Sequence, residues 1–374
     1  MATFTLQVPD EVLADLQARL DRTRWPGPFP EPGWRYGMDF DYLREVLAYW
    51  RDKFDWRAQE TRLNQLAHHK IDGIHFVHQR GAGPDPFPLV LTHGWPSSFT
   101  EFEKLIPLLT HPADPRDAFD VVVPSVPGHG LSDPPAAAGE MTAASIANRF
   151  ARLMTDELGY RRFGAVGGDI GSLITARLGA EHPDQVVGIH VDPVSVSHYR
   201  PQNPTDLSPD EQRFLKGNPQ WTGEETGYIQ FQATKPATLA LGLLDSPAGL
   251  AGYVLEKFHS WSGGHRYDLD ELLTNLTLYW TTGTIGSSFM FYYELRHDSV
   301  SKPFPGVKVP TAVAVWPGGY PEIMLPVPPP EYVRRSFHLQ RYTTMPSGAH
   351  FYARDEPQLL AADLQSFFRP LRSH

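Results

Sequence analysis

The sequence predicts an α/β fold, a mostly parallel, doubly wound sheet interrupted by an inserted helical cap domain. Three observations carry that expectation. Short runs at 88–92, 120–124, 163–166, 186–191 and 311–316 are apolar on both faces, as strands of a sheet covered on two sides must be. Helical periodicity at 142–158 and 172–182 separates them, as crossovers between parallel strands require. Between about 195 and 300 the alternation stops, and aromatic-rich, helix-like stretches at 248–261 and 268–280 precede the last of these strands. An insertion there is placed to cover the carboxyl ends of the strands, where ligands bind in doubly wound sheets.

Earlier elements follow from local signals. Pro9-Asp10 opens a helix over 9–24, with Val12, Leu13, Leu16 and Leu20 at helical spacing and Trp25-Pro26 as its stop. A loop dense in proline and glycine runs to Gly37. A second helix then places Phe40, Leu43, Leu47, Trp50 and Phe54 on one stripe. Residues 71–80 alternate as a strand does. A terminal helix is expected at 357–368. Four segments result: 1–85 with the first strands, 86–195 as the first part of the core, 196–300 as the cap, and 301–374 as the second part of the core.

Composition narrows the function. Of 374 residues, 41% are hydrophobic and 20% charged, which fits a globular chain rather than a disordered one. The net charge of −10 argues against a nucleic-acid partner. With no cysteine, disulfide scaffolds, thiolate zinc sites and thiol nucleophiles are excluded. The first ten residues show no leader pattern, and no apolar run approaches the roughly 20 residues that span a bilayer. A soluble, cytoplasmic protein without a membrane anchor is expected. Its oligomeric state stays open, a homodimer included.

The segment Gly167-Gly168-Asp169-Ile170-Gly171 has the form of a nucleophile elbow between a strand and a helix. Aspartate stands where esterases carry serine, and the chain contains no G-x-S-x-G. A carboxylate attacking sp³ carbon forms an alkyl ester that water must then cleave, which suits strained ethers or alkyl halides. The bland reading is a helix N-cap aspartate in an ordinary turn. A second motif, His93-Gly94-Trp95-Pro96, follows an earlier core strand, where an oxyanion loop belongs. The backbone N–H groups of Trp95 and Ile170 could receive the developing charge. Third, Ser347-Gly348-Ala349-His350-Phe351 supplies a histidine after the last strand, the base position in the order nucleophile, acid, base.

With these motifs the chain resembles the microsomal-type epoxide hydrolases of the α/β-hydrolase superfamily over nearly its whole length. The amino-terminal meander (Val8-Pro-Asp-Glu and Thr23-Arg-Trp-Pro26) carries part of the resemblance. So do Thr234-Lys-Pro236, Asp245-Ser-Pro-Ala-Gly-Leu250, Leu255-Glu-Lys-Phe258 and Leu278-Tyr-Trp-Thr-Thr-Gly-Thr-Ile285. The resemblance implies an α/β-hydrolase fold with a wrapping meander and a two-step hydrolysis that needs no cofactor. Asp169 would open the ring while Tyr228 and Tyr292 hydrogen-bond its oxygen, with Tyr293 the alternative to Tyr292. Phenols suit that role because a pKa near 10 keeps them protonated at neutral pH. His350 would then activate water against the ester. Its orienting acid would be Glu322, in Trp316-Pro-Gly-Gly-Tyr-Pro-Glu322, a loop longer than the family's usual spacing, with Glu331 as the alternative. Trp95 and Tyr293 are expected to contact a small apolar or aromatic epoxide. Detoxification and a tailoring step in secondary metabolism both fit.

Other readings fare worse. His68, His69, His75 and His78 are dense, but His75 and His78 alternate across a strand and no H-E-x-x-H is present, so no metal site is expected. Gly128-His-Gly130 lacks the third glycine of a dinucleotide fingerprint. A haloalkane dehalogenase would resemble this chain with tryptophan after the nucleophile, where Ile170 stands. A catalytically silent binding relative is the reading from another class.

Overall fold

The computed structural model describes residues 3–199, 205–297, 304–318 and 327–372. Eight strands form one sheet: β1 (His68–Ile71), β2 (Ile74–Gln79), β3 (Phe87–Thr92), β4 (Phe119–Pro124), β5 (Phe163–Gly167), β6 (Val186–Val191), β7 (Val307–Val315) and β8 (Phe337–Thr344). Their order is β1-β2-β4-β3-β5-β6-β7-β8. Strands β3 to β8 run parallel, and only β1 and β2 are antiparallel to their neighbours. Every residue of β4, β5 and β6 is buried. Alternation divides them between two cores. Val90, Val122 and Ala165 join one cluster, and Leu89, Leu91, Val121 and Val123 the other.

Two features differ from the sequence expectation. The stretch 71–80 is not one strand, because Asp72 and Gly73 both take positive φ (48° and 75°) and turn the chain into the β1–β2 hairpin. A two-residue turn of that hand matches the twist of the strands it joins. Strand β8 is additional. As an edge strand it is only half buried, so its residues Phe-His-Leu-Gln-Arg-Tyr-Thr-Thr lack the apolar run that marks the inner strands.

Helices fill the span between β6 and β7, forming the cap. Several start on a proline at the first helical position behind a hydrogen-bonding cap, as at Ser208, Asn218 and Ser246. Proline costs nothing there, since its missing N–H would be unpaired anyway, while the cap satisfies a free N–H. The N-terminal helices Asp10–Asp21 and Phe40–Asp52 lean on this cap. Trp50 Nε1 donates to Thr277 Oγ1 at 3.0 Å, and Trp34 stacks on His259 at 3.6 Å between ring centres. Among the described residues no single helix is long and apolar enough to cross a membrane.

Candidate active site

At the carboxyl end of β5 the chain turns sharply into the helix Ile170–Glu181, and Asp169 occupies the turn with φ 52°. A non-glycine residue in that region costs roughly 1–3 kcal/mol and persists only where its surroundings impose it. Here they do. Gly171 passes so close to β3 that an added Cβ would meet the Thr92 carbonyl, and one on Gly94 would lie 2.5 Å from Asp169 Cβ. The Asp169 N–H donates to Asp192 Oδ2 at 2.7 Å, and Trp95 N–H donates to Asp169 Oδ1 at 2.9 Å.

The two carboxylate oxygens of Asp169 are therefore unlike. Oδ1 is held by the loop that follows β3. Oδ2 takes no hydrogen bond among the described residues and lies 3.8 Å from His350 Nε2. Ile170, the first residue of the helix, has an N–H without an intrahelical acceptor, next to the same carboxylate. Burial lowers the pKa of His350, with the Asp169 charge opposing, so the imidazole is neutral at pH 7. The ring rests against Trp261, 4.7 Å between centres.

Tyr228 and Tyr292 approach from the cap, from the helices Gly227–Thr234 and Met290–His297, with ring centres 6.0 Å apart. The Tyr292 hydroxyl is buried and has no hydrogen-bond partner among the described residues. Burial, reinforced by the Asp169 charge, raises its pKa well above 10, so it stays protonated as a donor. Asp169, Ile170, Asp192, Tyr228, Tyr292 and His350 all line one cavity of about 440 Å³. Leu173, Phe214, Trp221, Val315 and Trp316 are among the residues of its apolar wall.

Not every expected residue reaches this cavity. The Trp95 indole is fully buried, stacked at 5.3 Å on the back of Tyr228 and tied to Ser288 Oγ through Nε1. Its backbone N–H meets Asp169, whereas the indole, expected to contact substrate, lies outside the cavity lining. Tyr293 likewise lies outside the lining and stacks on His297. One residue along a helix rotates a side chain by about 100°, so Tyr292 and Tyr293 cannot face the same space. Glu322 lies outside the described residues. Glu331 opens a short helix at Pro330–Val333 and accepts from Ser208 Oγ at 3.1 Å, turned to other work. The dense histidines also separate: His68 and His75 pair at 2.8 Å, His69 stacks on Phe76, and His78 pairs with Tyr160.

Two buried acids at the site escaped the sequence reading. Asp192 caps the helix Pro193–His198 through Val194 N–H while accepting from Asp169, and burial pushes its pKa up to about 7. Glu101, in the short 3₁₀ helix Phe99–Phe102, is also pushed up to about 7 by burial, with Arg354 opposing. Asp192 had a signal, an acid followed by proline at the end of an inner strand beside the elbow. Glu101 had none, since only packing buries it.

Comparison with known proteins agrees with this architecture. Residues 1–102 match the family profile described as epoxide hydrolase N terminus, and residues 88–237 match the alpha/beta hydrolase fold. Epoxide hydrolase 1 of Oryctolagus cuniculus is 36% identical over 97% of this chain and 88% of its own length. The crystal structure of juvenile hormone epoxide hydrolase from Bombyx mori superposes with a TM-score of 0.84 at 31% identity, covering 99% of this chain and 94% of that one. The structure of Aspergillus niger epoxide hydrolase gives 0.86 at 26% identity, covering 99% and 97%. Agreement that runs from the N-terminal helices through the elbow to the last strand leaves one assignment: the chain belongs to the epoxide hydrolase family of the α/β-hydrolase superfamily.

Proposed function

We propose that this epoxide hydrolase forms a covalent ester on Asp169 and that the two oxygens of that carboxylate divide the labour. The observation that carries the reading is their asymmetry, Oδ1 bonded to Trp95 N–H and Oδ2 unengaged toward the cavity. Oδ2 attacks a ring carbon and the carbon–oxygen bond opposite breaks. The released alkoxide takes a proton from a phenol of the Tyr228–Tyr292 pair. The Tyr292 hydroxyl is buried, no described residue engages it, and it lines the cavity, so its donor is free for a ligand oxygen.

In the second step neutral His350 takes a proton from water, and the hydroxide adds to Cγ of the ester. Negative charge then gathers on Oδ1, where Trp95 N–H already points. Collapse breaks the Cγ–Oδ2 bond, and the diol leaves with the proton of the imidazolium. The carboxylic acid so formed gives up its proton, which restores the phenol. Glu322 is the acid this reading assigns to orient His350. The apolar wall of the cavity suits an apolar or aromatic epoxide.

Oxygen labelling tests the scheme, because Oδ2 departs with the diol. A single turnover in ¹⁸O-water should yield unlabelled diol and place the label on Asp169, read by peptide mass. Label in the diol of the first turnover would mean direct attack by water and would refute the ester.

A further inference from the structure

His93 is fully buried beside the oxyanion loop, and no step of the reaction uses its ring. Both ring nitrogens face the backbone. Nε2 lies 3.0 Å from the Val126 N–H, and Nδ1 lies 3.0 Å from the Gly94 carbonyl. An N–H can only donate and a carbonyl only accept, so the proton sits on Nδ1 and Nε2 is the acceptor. Burial, which lowers the pKa of His93 to about 4, keeps the ring in this neutral form.

The Gly94 carbonyl and the Trp95 N–H are two ends of one peptide group. Its resonance couples them, so a donor pulling on the oxygen makes the N–H a stronger donor. That N–H is the one bonded to Asp169 Oδ1. The line continues behind His93. The Val126 N–H shares its peptide with the Ser125 carbonyl, which accepts from Ser132 Oγ at 2.7 Å, and Ser132 Oγ accepts from His75 N–H at 2.9 Å. Five hydrogen bonds thus run head to tail from β2 to the nucleophile, each donor pointing toward Asp169.

We propose that His93 is a positioning residue that aims and polarises the Gly94–Trp95 peptide, and that its effect falls on hydrolysis of the ester rather than on its formation. The inference rests on the covalent reading above. During ester formation Oδ1 loses negative charge, so a donor on it contributes less in the transition state than in the free enzyme. During hydrolysis Oδ1 gains a full charge, and the same donor contributes more.

Two substitutions separate the ring nitrogens. In His93→Asn the amide N–H sits where Nδ1 was and keeps the bond to Gly94. In His93→Gln the amide oxygen sits where Nε2 was and keeps only the bond from Val126. With styrene oxide as probe, stopped-flow and intact mass read ester formation and ester decay separately. His93→Gln should form the ester at the wild-type rate, which itself reports an intact fold. It should hydrolyse the ester about ten- to hundred-fold more slowly, a fraction of the effect of deleting an oxyanion donor, so the adduct accumulates. His93→Asn should restore most of the hydrolytic rate. Equal slowing of both steps, or Asn as slow as Gln, would overturn the inference. Should His93→Gln not fold, Ser132→Ala interrupts the line farther from the site; it should slow hydrolysis alone by a few-fold, and unchanged hydrolysis would overturn the inference. Wild-type protein that makes diol with no ester on Asp169 defeats the covalent reading and this inference with it. Ester that forms normally but decays normally in His93→Gln defeats the inference alone.

Discussion

The two sides of the cavity are built on opposite terms. On the sheet side, the Asp169 N–H, its Oδ1 and the Trp95 N–H all have partners, fixed by strand ends and close-packed glycines. On the cap side, Tyr292 holds a buried hydroxyl with none among the described residues, against a bed of aromatic rings from Trp95, Tyr228 and Phe291. In the proposed scheme the sheet side is the half that stabilises charge on the enzyme, and its hydrogen bonds are already made. The cap side is the half that would receive the leaving oxygen, through the Tyr292 hydroxyl that no described residue engages. Preorganised donors act without reorganising during reaction, whereas a donor that no side chain engages is available to whatever enters the cavity.

That contrast can be broken on the sheet side first. Asp169→Asn should abolish both the adduct and diol formation, a loss of at least ~10⁴-fold, measured by intact mass and product analysis. Retained turnover would remove Asp169 from the chemistry. Gly94→Ala should cost on the order of 10²-fold in kcat, because the new methyl meets Asp169 and pushes it off the Trp95 N–H. A near-normal kcat would show slack where the geometry shows none.

The cap side should respond differently. Tyr292→Phe should slow ester formation by about 10²-fold while raising the melting temperature, since it removes a buried hydroxyl whose desolvation costs about 1–3 kcal/mol. A lower melting temperature would mean the hydroxyl has a structural partner. Acidity gives a smaller lever. In the proposed scheme His350 acts as a neutral base, and burial holds its pKa below the ordinary 6.5. Ester hydrolysis should therefore be flat through neutrality and fall about tenfold per unit only below that lowered value. An acid limb centred above pH 6.5 would contradict the burial. Tyr293→Phe, outside the cavity lining, should change kcat and KM by less than about twofold; a larger effect would move Tyr293 into the site.

Much of this was legible in the primary structure because it is local. The inner strands announce themselves as apolar runs, since both of their faces are buried. The elbow at 167–171 reads as a turn that only glycines permit around a reactive side chain. The motif 93–96 and His350 were legible from their places after strands, and Tyr228 and Tyr292 through family resemblance; the structure gathers Tyr228, Tyr292 and His350 around one cavity with Asp169. Edge strand β8 was not legible, because half exposure erases its pattern.

Whatever depends on how distant segments meet belongs to the tertiary structure. Sequence shows that Trp95 follows a strand; only packing turns its indole behind Tyr228 and leaves its N–H on Asp169. Tyr292 and Tyr293 are adjacent and alike, and the helix's rotation chooses between them. Asp192 and Glu101 are ordinary acids until burial raises them to about 7. His93 is a motif letter until Val126, from the loop after β4, donates to Nε2 and leaves the proton on Nδ1, beside the neighbouring Gly94 carbonyl. Residue type determined which chemistry this chain could perform. Which atoms perform it was decided by burial and by hydrogen-bond direction, and neither exists before the chain is folded.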